Sequence, residues 1–547
     1  MKVKLVALVM AAGVTLSGLS ASAGVQARSA SASPVTVSMF ATPPTDVENL
    51  NTNWFTTYAE KQFNLKIQWQ IAAASDTATK QSLLLASGNY PAMFWSGSFS
   101  NAQVLKYGQQ GVFVPLNKYI QQYAPNVEKA MREFPGLKQD MVAPDGNIYG
   151  IPSINYCWHC YWSDQMWIDT RLLKQVHMAM PTTPAQFMQV LEAFKTKHPG
   201  GITIPLDGGI GGYNDDLTTF LMNAFIYDDG PVAGPGPSTH FFIQNGKVAF
   251  APVQAQWKQG LAYLHSLYTH GLINSTALSQ QDDQLKSQMQ QGKVGAVPNG
   301  AIQVLINYGR PGSDWQYWKT VPPLKGPNGT SYAAFAGQGP SGAVFAATNK
   351  ATPAQIRAVM KLINFVFTVK GTTMLDFGPE GKYWRTAKEG QKGLIGGRAL
   401  IQVDWQNFYN GTALQNWGWD QMGPIYQSQA WREGGVREPL SSPNGDETLD
   451  QVETQTNYSG HQPKYVYPAA AWVPPADIQQ YDMMRTNINN FVGQWTDQFI
   501  TGSKDLNKDW NTYVQGVQNL GLSQYLQITQ SAMGKPFDTS AFKGKGL

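Results

Sequence analysis

Charge is scarce in this 547-residue chain: Asp, Glu, Lys and Arg together supply 14% of it, where a soluble domain has about a quarter. The surface must therefore be built from Gln, Asn, Ser and Thr, which do not titrate and so tolerate a wide pH range, an acidic external medium included. The net charge of +4 comes without any Lys/Arg run, which argues against nucleic acid as a partner. Only two cysteines occur. No apolar run reaches the roughly 20 residues that a membrane span needs. There is no Gly-x-Ser-x-Gly elbow and no His-Glu-x-x-His pair, so two common hydrolase signatures are missing. The acidic residues fall mainly in turns and adjacent pairs rather than at apolar strand ends, where burial would raise a catalytic pKa. Internal repeats and heptads are absent too.

Lys2 and Lys4 precede an apolar run from Leu5 to Leu16, and Ala21-Ser22-Ala23 follows. That order of charge, apolar stretch and small residues predicts a signal peptide over 1–27, hence export. The remainder is too long for one core.

Aromatic side chains concentrate between Tyr149 and Trp167, where six of nineteen residues are Tyr or Trp (YGIPSINYCWHCYWSDQMW). Pro152 biases Ile151 towards extended backbone, so the stretch reads as a connection that displays rings. A ring face covers the C–H groups of a sugar while its hydroxyls find partners at the edges. Tyr156, Trp158, His159 and Trp162 are therefore candidate ligand contacts; the alternative for any one ring is a place in the core.

Pro34–Phe40 and Leu65–Ile71 alternate as strands, Asp46–Phe63 and the stretch from Asp76 to Ala86 have helical character, and Ala92–Trp95 is a short strand. This β-α-β-α-β order opens a doubly wound sheet, whose strand ends hold ligands. Trp95 and Ser96 fall at such an end. Beyond a crossing at Ile148–Ile154, helices are expected at Thr183–Lys197, Gln254–Thr269 and Gln280–Gln291, with a buried strand at Lys293–Pro298. Pro353 starts a helix to Phe367 in the position that suits proline. From Gly371 to Pro475 the chain is irregular, and Ala476–Gln530 returns to helices. The expected fold is α/β: two doubly wound lobes joined by a hinge, with extra C-terminal helices. The first lobe takes 34–152 and 336–400; the second takes 153–335 and is completed by 401–547, whose helices cross the hinge.

Cys157 and Cys160 stand in Cys-Trp-His-Cys. The spacing is that of a redox dithiol, but no βαβ unit opens with it, and zinc would need two further ligands. A local disulfide, or two thiols shaping a pocket loop, fits better, and export favours the oxidised form. Neither a metal nor a cofactor is expected.

Several segments together resemble the family 1 extracellular solute-binding proteins of ABC importers, in particular the larger Gram-positive oligosaccharide-binding subgroup with a type II, maltose-binding-protein-like fold. They are Leu84–Trp95 (LLASGNYPAMFW), Gly111–Asn126 (GVFVPLNKYIQQYAPN), Asp145–Pro152 (DGNIYGIP), Trp167–Pro184 (WIDTRLLKQVHMAMPTTP), Phe377–Tyr383 (FGPEGKY) and Phe499–Gln530. The resemblance implies ligand capture between lobes, closure, and delivery to permease subunits by a non-enzymatic, monomeric receptor that meets the membrane only through its transporter. The residues themselves point the same way, with Glu380, Trp384, Arg385, Trp417, Trp419 and Asp216 as further candidate contacts. Arg385 carries the fork that pairs with a carboxylate on an acidic sugar, and Glu380 either holds a turn or touches ligand. Asp215-Asp216 and Asp228-Asp229 either accept hydroxyl protons or cap helices.

Two departures from that family stand out. Tethered members carry Leu-Ser-Gly-Cys for lipid attachment, whereas this chain reads Leu16-Ser17-Gly18-Leu19, so a secreted form without a lipid anchor is expected. Many relatives have an Asp/Asn-rich calcium loop where this chain has Lys197-His198-Pro199-Gly200-Gly201, which offers no carboxylate to a hard cation. The alternatives to a carbohydrate receptor are a secreted glycoside hydrolase or lyase and a peptide receptor of the same architecture.

Overall fold

The computed structural model describes residues 33–73, 76–134, 136–162, 164–230, 239–306, 314–335, 342–408, 414–468 and 471–542. The expected signal peptide lies outside them. The first sheet runs in the order Ala346–Ala347, Met93–Phe94, Val35–Ala41, Leu65–Ile71. Its three N-terminal strands are parallel, and Ala346–Ala347 returns antiparallel on the edge. Alternate residues of these strands serve different cores. Met39, Met93, Phe345 and Ala347 face one, while Phe40, Phe94 and Ala346 face the other, as a sheet covered on both sides requires. The Pro353–Val366 helix packs on the first face, its start fixed by Thr352, whose hydroxyl accepts the Gln355 N–H. The helix expected from Asp46 begins only at Trp54, where the Asn53 side chain caps it.

The second lobe holds the sheet Trp318–Val321, Gln165–Asp169, Val294–Asn299, Ile204–Leu206. It is mixed: the two pairings of Gln165–Asp169 are antiparallel, and only Ile204–Leu206 with Val294–Asn299 is parallel. Met166 and Ile168 enter one core and Trp167 another. The helices Pro184–Lys197, Ala255–Thr269 and Asp282–Gln290 all lie within a residue or two of their expected places.

Two parts of the domain assignment are corrected. Residues 401–431 do not complete the second lobe: Ile401, Val403, Phe408, Trp419, Ile425 and Trp431 are buried in the first-lobe core. The Trp419 indole donates to the Thr56 hydroxyl at 2.9 Å, and that of Trp431 to the Thr373 hydroxyl at 2.7 Å. Nor do the C-terminal helices Ile478–Thr501, Trp510–Asn519 and Leu522–Met533 cross the hinge. Their apolar residues Ile488, Val492, Phe499 and Val517 fill the second-lobe core beside Leu261 and Leu264. Contact with the first lobe is made just ahead of them, where the Trp472 indole donates to the Gln139 carbonyl.

The chain passes between lobes near Asn155 and between Glu433 and Asp446. Ile154–Asn155, at the first of these passages, pairs parallel with Tyr426–Gln427 of the first lobe. Asp446–Glu453 is a second-lobe helix: Leu449 is buried with Trp167, Asp450 accepts from Gln303, and Glu453 accepts from Thr320.

Candidate ligand-binding cleft between the lobes

Immediately after the paired strands, the backbone turns through Cys157–Trp162, and the Cys160 N–H donates to the Cys157 carbonyl at 3.1 Å. Cys157 and Cys160 form a disulfide across this turn. Their sulfurs and a His159 nitrogen lie within 4.8 Å of one another, but a disulfide has no thiolate to give a metal. The clipped turn aims Trp158 and His159 into a narrow cleft with Tyr156 at its edge.

The opposite walls come from both lobes. Arg432 and Glu433, on the first-lobe helix Gln429–Glu433, meet Glu447 and Gln451 of the second-lobe helix, and Leu394 and Ile395 close the side. Space continues past Leu394, Arg432 and Glu447 into an adjoining hollow lined by Gln402, Trp405, Trp431 and Glu438. Both are tight as the walls stand, each with about 20 Å³ of free space, room for about one water.

Arg432 ties the walls together. Its Nε donates to Asn155 Oδ1 at 2.8 Å, Nη1 donates to Glu447 Oε1 at 3.0 Å, and the guanidinium lies 5.5 Å from the Trp431 ring centroid. One side chain thus joins first lobe, crossing strand and second lobe.

His159 is buried beside Glu447 and Asp450, 3.9 and 3.8 Å away, and its Nε2 lies 3.4 Å from Cys157 Sγ. Loss of water lowers its pKa to about 4; Glu447 opposes this and Arg432 adds to it. The imidazole is neutral at neutral pH. Burial also lifts the Asp450 carboxyl well above its ordinary range, against the Gln303 hydrogen bond. In the cleft itself the neutral imidazole and the Gln451 amide can both donate and accept, beside Arg432, Glu433 and Glu447.

The other predicted contacts fall elsewhere. Trp95, Trp162, Trp384 and Trp419 are core residues with satisfied indoles: Trp95 donates to the Met422 carbonyl, Trp162 to Gln462 and Trp384 to the Gly378 carbonyl. Ser96 is taken by the Thr42 N–H at 2.6 Å. Asp216 caps the Leu217–Met222 helix through Thr218. Glu380 is exposed and holds a turn by accepting both the N–H and the hydroxyl of Thr386. Arg385 donates to Gln402, one step behind the cleft wall, and Trp417 lies on the surface beneath Lys382. Sequence reasoning missed Arg432, Glu433, Glu447 and Gln451. The signal available was a lone Arg beside a Trp, followed by an acidic helix (DETLDQVE) inside an otherwise irregular stretch.

The loop 197–201 does not fit a cation. The His198 imidazole bonds the Ile202 carbonyl at 3.1 Å, and the Gln175 amide accepts the Gly200 N–H at 2.7 Å.

The family model for bacterial extracellular solute-binding proteins matches residues 53–376, well over half of the chain. The chain belongs to this family. Its members are receptors, so the enzymatic alternative gives way. The receptor is 24% identical over 513 residues to the fructooligosaccharide ABC transporter substrate-binding protein FusA of Streptococcus pneumoniae serotype 4, covering 90% of this chain and 88% of FusA. The structure of S. pneumoniae FusA in complex with kestose superposes with a TM-score of 0.74 at 20% identity, covering 91% of this chain and 99% of that one. An HMO-binding, ABC-transporter-associated solute-binding protein from Bifidobacterium longum infantis gives 0.72 at 19%, covering 93% and 100%. These likenesses establish the two-lobed binding-protein fold with its C-terminal helices.

Proposed function

We propose that this receptor captures a carbohydrate, an oligosaccharide in particular, in the cleft between its lobes and hands it unaltered to the permease subunits of an ABC importer. The observation that carries this reading is the meeting of Tyr156, Trp158 and neutral His159 with side chains of both lobes in one cleft. Rings there stack on sugar C–H faces, while Gln451, Glu433, Glu447 and the neutral imidazole exchange hydrogen bonds with hydroxyls. A ligand touching both walls favours the closed state by its differential affinity. The likeness to a fructooligosaccharide transporter's substrate-binding protein and to an HMO-binding protein supports the ligand class. The receptor is exported by its leader, acts as a monomer and stays at the cell surface through its transporter rather than through a lipid.

The test is calorimetry with fructo-, malto- and xylo-oligosaccharides, each checked afterwards for released products. At least one binds and is recovered intact. Tyr156→Ala and Trp158→Ala each weaken it about twofold to tenfold, since a well-placed ring is worth about 0.5–1.5 kcal/mol. Unchanged affinity in both variants moves the site elsewhere, and released products restore the hydrolase.

A further inference from the structure

The second lobe carries another cavity, of about 840 Å³ counted to its mouth, none of whose lining residues lines the inter-lobe cleft. One wall is the hairpin of Phe241–Gln244 and Lys247–Phe250, the other the turn over 323–332. Both walls are pinned. Gly326 sits so close to Ala224 that a Cβ would come within 1.8 Å of its carbonyl oxygen. The Gly326 N–H donates to the Thr330 carbonyl at 2.8 Å, and the Tyr332 N–H to the Asn223 carbonyl at 3.1 Å. The Ser331 hydroxyl donates to the Pro323 carbonyl, and on the hairpin side the Val248 N–H donates to Gln530. A cavity held this way needs little ordering to accept a guest.

Its lining has a distinctive chemistry. Tyr227 and Tyr332 meet edge to face with centroids 5.7 Å apart, and Tyr332 keeps 38% of its surface exposed. Phe242 adds a half-buried ring. Gln244 and Gln256 are exposed at the rim, and among the described residues their side-chain amides make no hydrogen bond; Asn328 adds a third amide. Among the described residues, no carboxylate, ammonium, guanidinium or imidazole lines the space. Nothing there neutralises a phosphate, a carboxylate or a metal ion, and burying an unpaired charge is costly. Rings with uncharged donors and acceptors suit a guest that has C–H faces and hydroxyl edges.

We infer that the second lobe holds a second binding site, for a neutral saccharide, separate from the inter-lobe cleft. It goes beyond the capture reading and stands or falls apart from it. The probes are kestose, maltotriose and cellotriose, titrated by calorimetry and by saturation-transfer NMR into wild type, Trp158→Ala, Tyr332→Ala and Gln256→Ala, with circular dichroism confirming the fold. A weak binding phase is expected that survives Trp158→Ala and falls about twofold to tenfold in Tyr332→Ala and severalfold in Gln256→Ala, while the tighter phase is unchanged in both. The inference is overturned if the Trp158→Ala protein binds none of the probes at millimolar concentration, or if the weak phase ignores both rim substitutions. It is overturned too if the cavity takes an apolar dye that no probe displaces. Loss of the tight phase alone from wild type sinks cleft capture and leaves this site standing.

Discussion

Replacing Arg432 by Met tests the idea that one side chain latches the two lobes. Met keeps an unbranched stem over Trp431 while removing both donors. In this structure Arg432 and Glu447 are 14% and 20% exposed and 3.0 Å apart. A hydrogen bond between charged groups in such a setting is worth about 1.5–3 kcal/mol. Water still reaches Glu447, so the loss stays below the roughly 3–5 kcal/mol of a fully buried pair broken on one side. A working figure is about 2 kcal/mol taken from the closed state, or about 30-fold in the open–closed equilibrium. Arg432→Met should therefore raise the apparent dissociation constant of the captured oligosaccharide by an order of magnitude and expand the unliganded protein in small-angle scattering. The Asn155 bond is lost as well, so the pair itself is isolated by a double-mutant cycle with Glu447→Gln. A coupling energy above about 1 kcal/mol is expected. Coupling under about 0.3 kcal/mol, within the additivity seen for independent sites, would refute the latch.

Buried Asp140, with neither oxygen hydrogen-bonded, has its pKa raised to about 9 by burial. Its folded pKa lies above the unfolded value, so the folded state holds the extra proton and stability falls as pH rises from about 4 to 9, by up to about 1.4 kcal/mol per unit. Asp140→Asn should flatten that slope in melts at pH 5 and 7; parallel slopes in the two proteins would refute it. Removing the disulfide by Cys157→Ser with Cys160→Ser should cost about 2 kcal/mol, the loop-closure figure for so short a ring, read as a lower melting temperature together with weaker sugar binding. Chelators should leave the melting temperature unchanged, because His198 and Gln175 hold the loop 197–201; a drop in chelator reversed by calcium would refute this.

The first sheet was legible in the sequence because its pattern is local. The alternation in Leu65–Ile71 and the stop at Gly88 are read from neighbouring residues alone, and the strand occupies those seven residues. The stretch from Gly371 to Pro475 was not legible, because what organises it lies hundreds of residues away. Gln415 and Gly418 are fixed on Asp46 and Asn53, and Trp419 on Thr56. The same limit governed the rings. Trp158 and Trp162 stand one helical turn apart with centroids 5.0 Å from each other, and both looked equally fit to bind. Phe335 and Gln462 cover Trp162, whereas Trp158 keeps an edge on the cleft. Tyr156, Trp158 and His159, which line the cleft, stood out because the run that carries them is dense in aromatics; Arg432 and Glu447 meet only after the lobes assemble.

The side-by-side pairing of Ile154–Asn155 with Tyr426–Gln427 has a mechanical consequence. It clamps the root of the crossing to the first lobe, so bending is pushed outward to the residues beyond Asn155. Because Trp158 packs in the second-lobe core, any swing of that lobe carries the ring with it.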